Sequence, residues 1–461
     1  MTAPFEGPLS SRQAPIHPTS PVRFCRLRAG FSGRRLVITL SPTTEPDKVI
    51  KMRTPLDSPF SPGSDSVPAV WAGRTEQLSD WRDIVRPRRN AGLPERGRTI
   101  LGEAGLGKST LVRRIAREAA ASGDWVTPQL RIPSGADPLK LIADALLRLA
   151  EDAGLAAARE ERIRSALKSV QAVAVSGISL TMRRQDGPEP FTVLTALLVE
   201  IGRAAMKHGA VVLIHVDEVQ NITDKNALSQ LLIALGDALV HEEEVVAPGN
   251  IRVLRSLPIA VYLTGLPDFA DLAGANMGAT FARRFKTTTL TALEEADLAT
   301  ALQQFVIEGW PVDEGAGVLS RIHMEPEAVA AIVELCRGEP FLFQLAGERA
   351  WYAGTGDVIT RSQVLNGWKA ARSEAANHVE RILARLPGRE REFVQVMADL
   401  PPGERTLTRI ASGMGFDKAT AAGPTSQRLD SVRGIIDRGK PYTFRHRAVE
   451  AYLTSDWPDV G

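Results

Sequence analysis

From Trp71 onward, hydrophobic positions alternate between two rhythms. Short β-like runs occupy 98–101, 125–132, 211–216 and 259–264. Runs of this length predict strands. Between them apolar residues recur at helical spacing. The clearest case opens at Asp137-Pro138, an N-cap followed by proline at the first helical position, and continues through Leu139, Ile142, Leu146 and Leu149. Strands separated by helices predict a parallel sheet with crossovers, hence an α/β fold. From about Thr291 the β-like runs stop, and amphipathic helices are expected over 292–307 and 326–336. After about Ala376 the pattern predicts helices over 390–400 and 406–413, with Gly415 closing a turn. A third helix starts near Thr425, because Gly423-Pro424 breaks its beginning, and a strand follows over 442–445.

The first 70 residues follow neither rhythm. They hold eleven of the 30 prolines, and six arginines with no acid lie between Gly7 and Thr44. The segment 1–70 reads as a disordered Pro/Arg-rich leader. A transit peptide or a flexible basic arm on nucleic acid has the same composition. Within it, 24–40 could pair as strands around Gly30 to Gly33, and Met52 is an alternative start.

Composition narrows the class. The 461 residues suggest roughly three domains. A net charge of +2 excludes a global field that recruits nucleic acid. Cys25 and Cys336 are the two cysteines, which excludes a disulfide framework and fits a reducing compartment. Apolar runs fall far short of the roughly 20 residues of a membrane helix. A cytoplasmic location is expected.

Gly102-Glu103-Ala104-Gly105-Leu106-Gly107-Lys108-Ser109-Thr110 matches G-x-x-x-x-G-K-[ST] in full. Glycines let the backbone turn its N–H groups toward phosphate oxygens, and the following helix adds its positive N-terminus. Lys108 reaches the β- and γ-phosphates, and Ser109 offers a hydroxyl to Mg²⁺. The apolar run that ends in Asp217-Glu218 supplies the second half of an ATP site. Asp217 is expected in the magnesium shell, with Glu218 as general base for the attacking water. His215, inside that run, reads as structural. Thr264 ends the next run and could hold the water or sense the γ-phosphate; a plain turn fits as well. Arg283 and Arg284, between Phe281 and Phe285, could neutralise charge on a neighbour's nucleotide, Arg284 being the chosen candidate, or could be a helix surface.

These motifs, in this order, resemble the AAA+/STAND side of the P-loop ATPases, in particular initiator-like and archaeal-type ATP-binding proteins. Trp71-Ala72-Gly73-Arg74-Thr75-Glu76-Gln77-Leu78 resembles the family's opening motif beside the adenine. Asp217-Glu218-Val219-Gln220 resembles its acidic strand, Thr264-Gly265-Leu266-Pro267 its sensor-1 turn, and Gly338-Glu339-Pro340 through Gln344 its lid signature. The resemblance implies a P-loop NTPase core with a five-stranded parallel sheet over 71–290, a helical lid over 291–375, and a winged helix-turn-helix over 376–461. ATP and Mg²⁺ would bind between core and lid, with Gly73, Arg74 and Pro340 joining the phosphate loop. Many AAA+ proteins carry a sensor-2 arginine on the lid; here Pro340 stands in the motif, with Arg337 just before. That departure implies lid sensing through proline packing and weakens the case for a trans-acting arginine.

Between Arg405 and Arg447 nine Lys/Arg face three acids, a local +6. Arg428, Arg433, Arg445 and Arg447 are the residues placed to contact double-stranded DNA. Two readings follow. One is an ATP-hydrolysing switch whose winged helix contacts DNA. The other is a STAND-type signalling ATPase whose winged helix is a packing module and whose partner is a protein or a second copy.

Overall fold

A computed structural model describes residues 53–64, 66–155, 190–269, 271, 273, 283–313 and 319–460. The expected strand pair over 24–40, the arginine-rich stretch before it, Cys25, Met52 and Phe281 lie outside the described residues.

Three strands form the centre of the main sheet: β1 (Gly97–Leu101), β4 (Val212–Asp217) and β7 (Ile259–Gly265). Every residue in them is buried, so β4 and β7 run mostly apolar without alternation, while β1 buries Arg98 and Thr99 as well. β2 (Trp125–Val126) and β3 (Leu130–Arg131) both pair with β4, and β8 (Phe285–Thr289) closes the other edge. The order is β2-β4-β7-β1-β8 and every pair is parallel. β2 meets Val212 and Leu213 while β3 meets Val216 and Asp217, so the two act as one interrupted edge strand. The sheet therefore has five positions, as expected.

Helices cover both faces. α1 (Thr75–Ser79) and α2 (Arg86–Asn90), joined by a π turn, lie with α3 (Lys108–Ala121) on one side, around Ile100, Leu213, Ala260 and Tyr262. α4 (Pro138–Asp152), α5 (Pro190–His208) and α6 (Lys225–Val240) bury Ile142, Leu197 and Leu231 against Ile214, Val216 and Val261 on the other. Asp137 caps α4 as its sequence predicts, accepting N–H bonds from Leu139 and Lys140.

The sequence pattern missed two elements here. β8 buries Phe285 but leaves threonines and Lys286 outward, so it presents no apolar run. A hairpin of β5 (Glu242–Ala247) and β6 (Ile251–Ser256) precedes β7 and pairs with no other strand among the described residues.

After β8 come α7 (Glu295–Ile307), β9 (Trp310–Asp313), β10 (Leu319–Met324), α8 (Pro326–Cys336), α9 (Pro340–Tyr352), β11 (Val358–Ile359) and α10 (Arg361–Ala384). β9, β10 and β11 form a small sheet, so strands do not stop at Thr291; their short, polar, half-exposed sequences hide them. α10 opens with a capping box at Thr360 and Gln363 and runs unbroken past residue 376. His378, Val379 and Ile382 continue its buried stripe, so no boundary falls there.

The leader expectation also fails for its last part. Phe60 is 3% exposed and stacks on Phe305 with ring centroids 5.8 Å apart, and Val70 is 2% exposed. Trp351 Nε1 donates to the Thr54 carbonyl at 2.8 Å. Proline-rich sequence here is an ordered strap along the lid, because its few apolar side chains are buried.

α11 (Gly388–Asp399), α12 (Leu407–Gly413), α13 (Gly423–Gln427), the strands β12 (Ile436–Asp437) and β13 (Thr443–Phe444), and α14 (Arg447–Thr454) complete the chain. Three helices followed by a two-stranded wing is the winged-helix order. Pro424 sits in the first turn of α13, where its missing N–H costs nothing, so the third helix begins at Gly423 rather than near Thr425. A π turn over Arg428–Val432 extends it. Lid and C-terminal elements share one hydrophobic core, from Phe60 and Leu298 through Trp368 to Ile435 and Trp457.

Candidate active site

β1 ends at Leu101, and α3 begins at Lys108. Between them Gly105 (φ +87°) and Gly107 (φ +80°) hold left-handed conformations that side chains resist. Above the loop lies a cavity of about 330 Å³. Ala104, Gly105, Leu106, Gly107, Lys108, Ser109 and Thr110 line it together with Arg74, Glu218 and Pro340. Gly102 and Glu103 instead border a smaller cavity beside the C-terminal domain. Gly73 is not in the wall; at φ +58° it lets Leu293 and Asp297 approach closely.

Lys108 is 8% exposed, and its Nζ donates to the Glu103 carbonyl at 3.0 Å. Burial pulls its pKa down, opposed by Glu218 and Asp217. Asp217 is fully buried at the end of β4. Thr264 Oγ1 and Gln129 Nε2 donate to its two carboxylate oxygens, and the Glu218 N–H donates to Oδ1 at 3.0 Å. Burial would raise the Asp217 pKa, but these donors, His215 and the Ser109 hydroxyl hold it below the ordinary carboxylate value. A charged carboxylate bonded to the loop serine is the donor set that a magnesium shell needs.

His215 Nε2 lies 3.1 Å from Thr264 Oγ1. Since that hydroxyl donates to Asp217, the imidazole N–H donates to the hydroxyl. Burial pushes the His215 pKa down to about 4, so the ring is neutral at pH 7. Thr264 therefore reaches the site through Asp217 and is not itself in the cavity wall. Glu218 is in the wall, at a left-handed φ of 59°. A non-glycine residue held there stores of order 1–3 kcal/mol, typical of a functional position. Gln220 fixes it, donating to Glu218 Oε2 while its Oε1 accepts the Leu266 N–H at 3.1 Å.

The lid meets the loop directly. The Phe341 N–H donates to the Gly105 carbonyl at 3.2 Å. Arg74 bonds the Leu106 and Thr291 carbonyls at 3.1 and 2.8 Å, tying the opening motif to the loop. Burial lowers its pKa to about 10, with Asp297 opposing.

Sequence reasoning missed several wall residues. Ser61, Gly63, Ser64, Ser66 and Pro68 of the strap line the cavity. Gln344 holds the strap, accepting the Ser61 N–H at 3.1 Å and donating to the Val70 carbonyl at 2.9 Å. Arg385, at the end of α10, also lines the cavity and pairs with Glu103. Beside it, fully buried Glu339 sits 2.5 Å from His378 Nε2 and 2.7 Å from His446 Nδ1. Burial would raise the Glu339 pKa, but His446 and His378 bring it to about 2. The lid motif offered a signal for Glu339; nothing in the local sequence marked Arg385.

Arg284 is not brought to the cavity. It pairs with Asp237 of α6 at 2.5 Å, next to Phe285, at the end of the sheet opposite the phosphate loop. The four C-terminal arginines are all in ion pairs. Arg428 and Arg433 share Glu390 at 2.9 and 3.0 Å, and Arg433 also meets Asp268 at 3.4 Å. Arg445 pairs with Asp430 at 2.5 Å, and Arg447 with Glu294 at 3.0 Å.

Residues 70–244 match the AAA ATPase domain family. No curated protein matches the sequence. The fold is similar to that of the ORC2 protein of Aeropyrum pernix, solved in ADPNP–ADP complexes, at 17% identity over 88% of this chain and 96% of that one, TM-score 0.52. It is also similar to a Walker-type ATPase of Pyrococcus abyssi, at 15% identity over 83% of this chain and 96% of that one, TM-score 0.51. At such identities the likeness is one of fold. The phosphate loop and the acidic strand both fall within residues 70–244, the stretch that matches the AAA ATPase domain family, and the fold around them is that of a P-loop NTPase.

Proposed function

We propose that the protein is a Mg²⁺-dependent ATP-hydrolysing switch whose C-terminal domain docks on the nucleotide site. ATP would lie in the cavity above the phosphate loop. Lys108 would hold its β- and γ-phosphates, Ser109 and Asp217 would hold Mg²⁺, and Glu218 would take the proton of the attacking water. The bound metal would neutralise charge developing on the transferred phosphoryl group. One observation carries the coupling: the same cavity is walled by the core, by the strap, by Pro340 and Phe341 of the lid and by Arg385 of α10.

The ion pairs of the C-terminal arginines favour the packing-module reading, with a protein partner or a second copy. Arg433 reaches Asp268 of the core and Arg447 reaches Glu294 at the start of the lid. A DNA reading survives in narrower form. Lys418, Arg438 and Lys440 are exposed and have no ion pair among the described residues; the last two lie on the wing turn. The test is steady-state ATP turnover by the whole protein with and without duplex DNA at low salt. Lys108→Ala and Glu218→Gln should each lower turnover by at least about a hundredfold. Turnover indifferent to both substitutions would refute the ATPase. Turnover that rises with DNA and loses that rise in Arg438→Ala/Lys440→Ala would overturn the packing-module reading.

A further inference from the structure

The smaller cavity beside the C-terminal domain differs in size and charge from the one over the phosphate loop. It holds about 110 Å³, room for roughly three waters, so a nucleoside does not fit and a tetrahedral oxyanion does. Arg433, Arg445 and His446 of the C-terminal domain stand in its wall, with Glu103 and Ala292 opposite. Glu103, its one acid among the described residues, is paired with Arg385. His446 is 5% exposed. Its Nδ1 faces the Glu339 carboxylate at 2.7 Å, and a carboxylate only accepts, so that nitrogen carries a proton. Nε2, the other ring nitrogen, has no hydrogen-bond partner among the described residues. A buried polar atom left in this way is uncommon and marks a place for a ligand.

The two guanidinium groups have donors left for an anion. Arg433 uses Nε on Glu390 and Nη1 on Asp268. Arg445 uses its two Nη atoms on Asp430, with Asp437 at 3.6 Å. Those acids stand outside the wall, and a guanidinium carries more N–H groups than these bonds take. The positive charge reaches further. Burial first, and then the nearness of Arg433, hold the Arg385 pKa below the ordinary arginine value. We propose that this cavity is a binding site for inorganic phosphate, held by Arg433, Arg445 and His446. Guanidinium groups match the spacing of phosphate oxygens. Hydrogen phosphate satisfies Nε2 whichever state the ring is in: its hydroxyl donates to a neutral nitrogen, and a bare oxygen accepts from a charged one. Bound there, the anion bridges Gly102 and Glu103 of the core to the C-terminal domain and tightens their docking. Two sources offer the same chemistry, phosphate in solution and phosphate cleaved in the neighbouring cavity, since Leu106 lines both cavities. The site itself does not depend on the nucleotide reading.

The experiment is calorimetric titration of inorganic phosphate into the whole protein carrying Lys108→Ala, which disables the phosphate loop. A single site should remain. On that background His446→Asn keeps an amide donor for Glu339 but lacks Nε2, and should weaken phosphate by about ten- to a hundredfold. Ala292→Leu puts a larger side chain into the cavity and should abolish binding. No binding at the outset, or binding that neither substitution weakens, overturns the proposal. Should His446→Asn fold poorly, Ala292→Leu decides alone, because it leaves every polar group in place. The two sources are separated with Lys108 intact, by following phosphate release after a single round of ATP hydrolysis with a fluorescent phosphate sensor. Release altered severalfold in Ala292→Leu, at an unchanged rate of hydrolysis, assigns the cleaved phosphate to this cavity. Unchanged release, with calorimetric binding lost, assigns phosphate from solution. Wild-type protein that does not hydrolyse ATP overturns the ATPase reading and leaves the calorimetric test standing.

Discussion

Two buried carboxylates stand on either side of the phosphate loop, each near histidine, and they are built for opposite ends. Asp217 meets His215 only through the Thr264 hydroxyl, and burial keeps that imidazole neutral. Its charge is oriented by neutral donors and stays available to a cation. Glu339 meets His378 and His446 directly, and they bring its pKa down to about 2. Its charge is consumed in joining three segments: the start of α9, the middle of α10 and the residue before α14. The lesson is that a hydroxyl between acid and imidazole preserves a ligand, while direct contact makes a tie.

Breaking the tie should have the larger effect. Glu339→Ala strands two buried imidazoles and should destabilise the protein by about 3 kcal/mol or more, read by denaturant unfolding. Its acid dependence follows from the lowered pKa. The stability that Glu339 contributes is whole above its unfolded value of 4.5 and drains away as pH falls toward about 2. The core pair has a different window. A depressed histidine pKa makes stability fall as pH drops from 6.5 toward about 4, where the unfolded chain takes a proton that buried His215 refuses. Acid titration should thus show both phases in wild type, while Glu339→Ala should lose the lower phase and keep the upper one.

Thr264→Val sharpens the other half. It removes the hydroxyl between His215 and Asp217, keeps the side-chain shape, and should cut turnover by roughly ten- to a hundredfold. ADP binding should persist, since Thr264 is outside the cavity wall. Loss of ADP binding would mean that the network builds the pocket rather than orienting Asp217.

The smallest effect belongs to the tethers on the outside. Arg447→Ala breaks a pair in which Glu294 is 73% exposed, so stability should change by less than about 1 kcal/mol. Nucleotide release should quicken severalfold in a stopped-flow chase if this pair helps to hold the C-terminal domain closed.

Legibility followed the same divide between local and assembled chemistry. The phosphate loop and Asp217 could be read because their function is written in contiguous residues, glycines at fixed positions and a buried strand with an acid at its end. Four of the five sheet positions were readable from β-like runs and the fifth only through the family resemblance, since β8, an edge strand of threonines, carries no apolar signal. The strap looked like disorder because proline and serine dominate it, while Phe60 and Val70 find their partners more than two hundred residues away. Arg385 and Glu103 meet across 282 positions, a pairing no window of sequence contains. The C-terminal arginines were countable, but the acids of Arg428, Arg433 and Arg447 come from α11, the core and the lid, and only Arg445 pairs close by, with Asp430.

α10 deserves one last piece of geometry. Its 24 residues give a rod of about 36 Å at the usual helical rise. A tilt of about 10° at the end near the phosphate loop would swing the far end by about 6 Å. That far end carries Gln363, which accepts a hydrogen bond from Arg53 of the strap at 2.9 Å. The helix thus joins the wall of the phosphate-loop cavity at one end to the strap at the other, and any tilt at the first end would be felt at the second as a displacement of the strap.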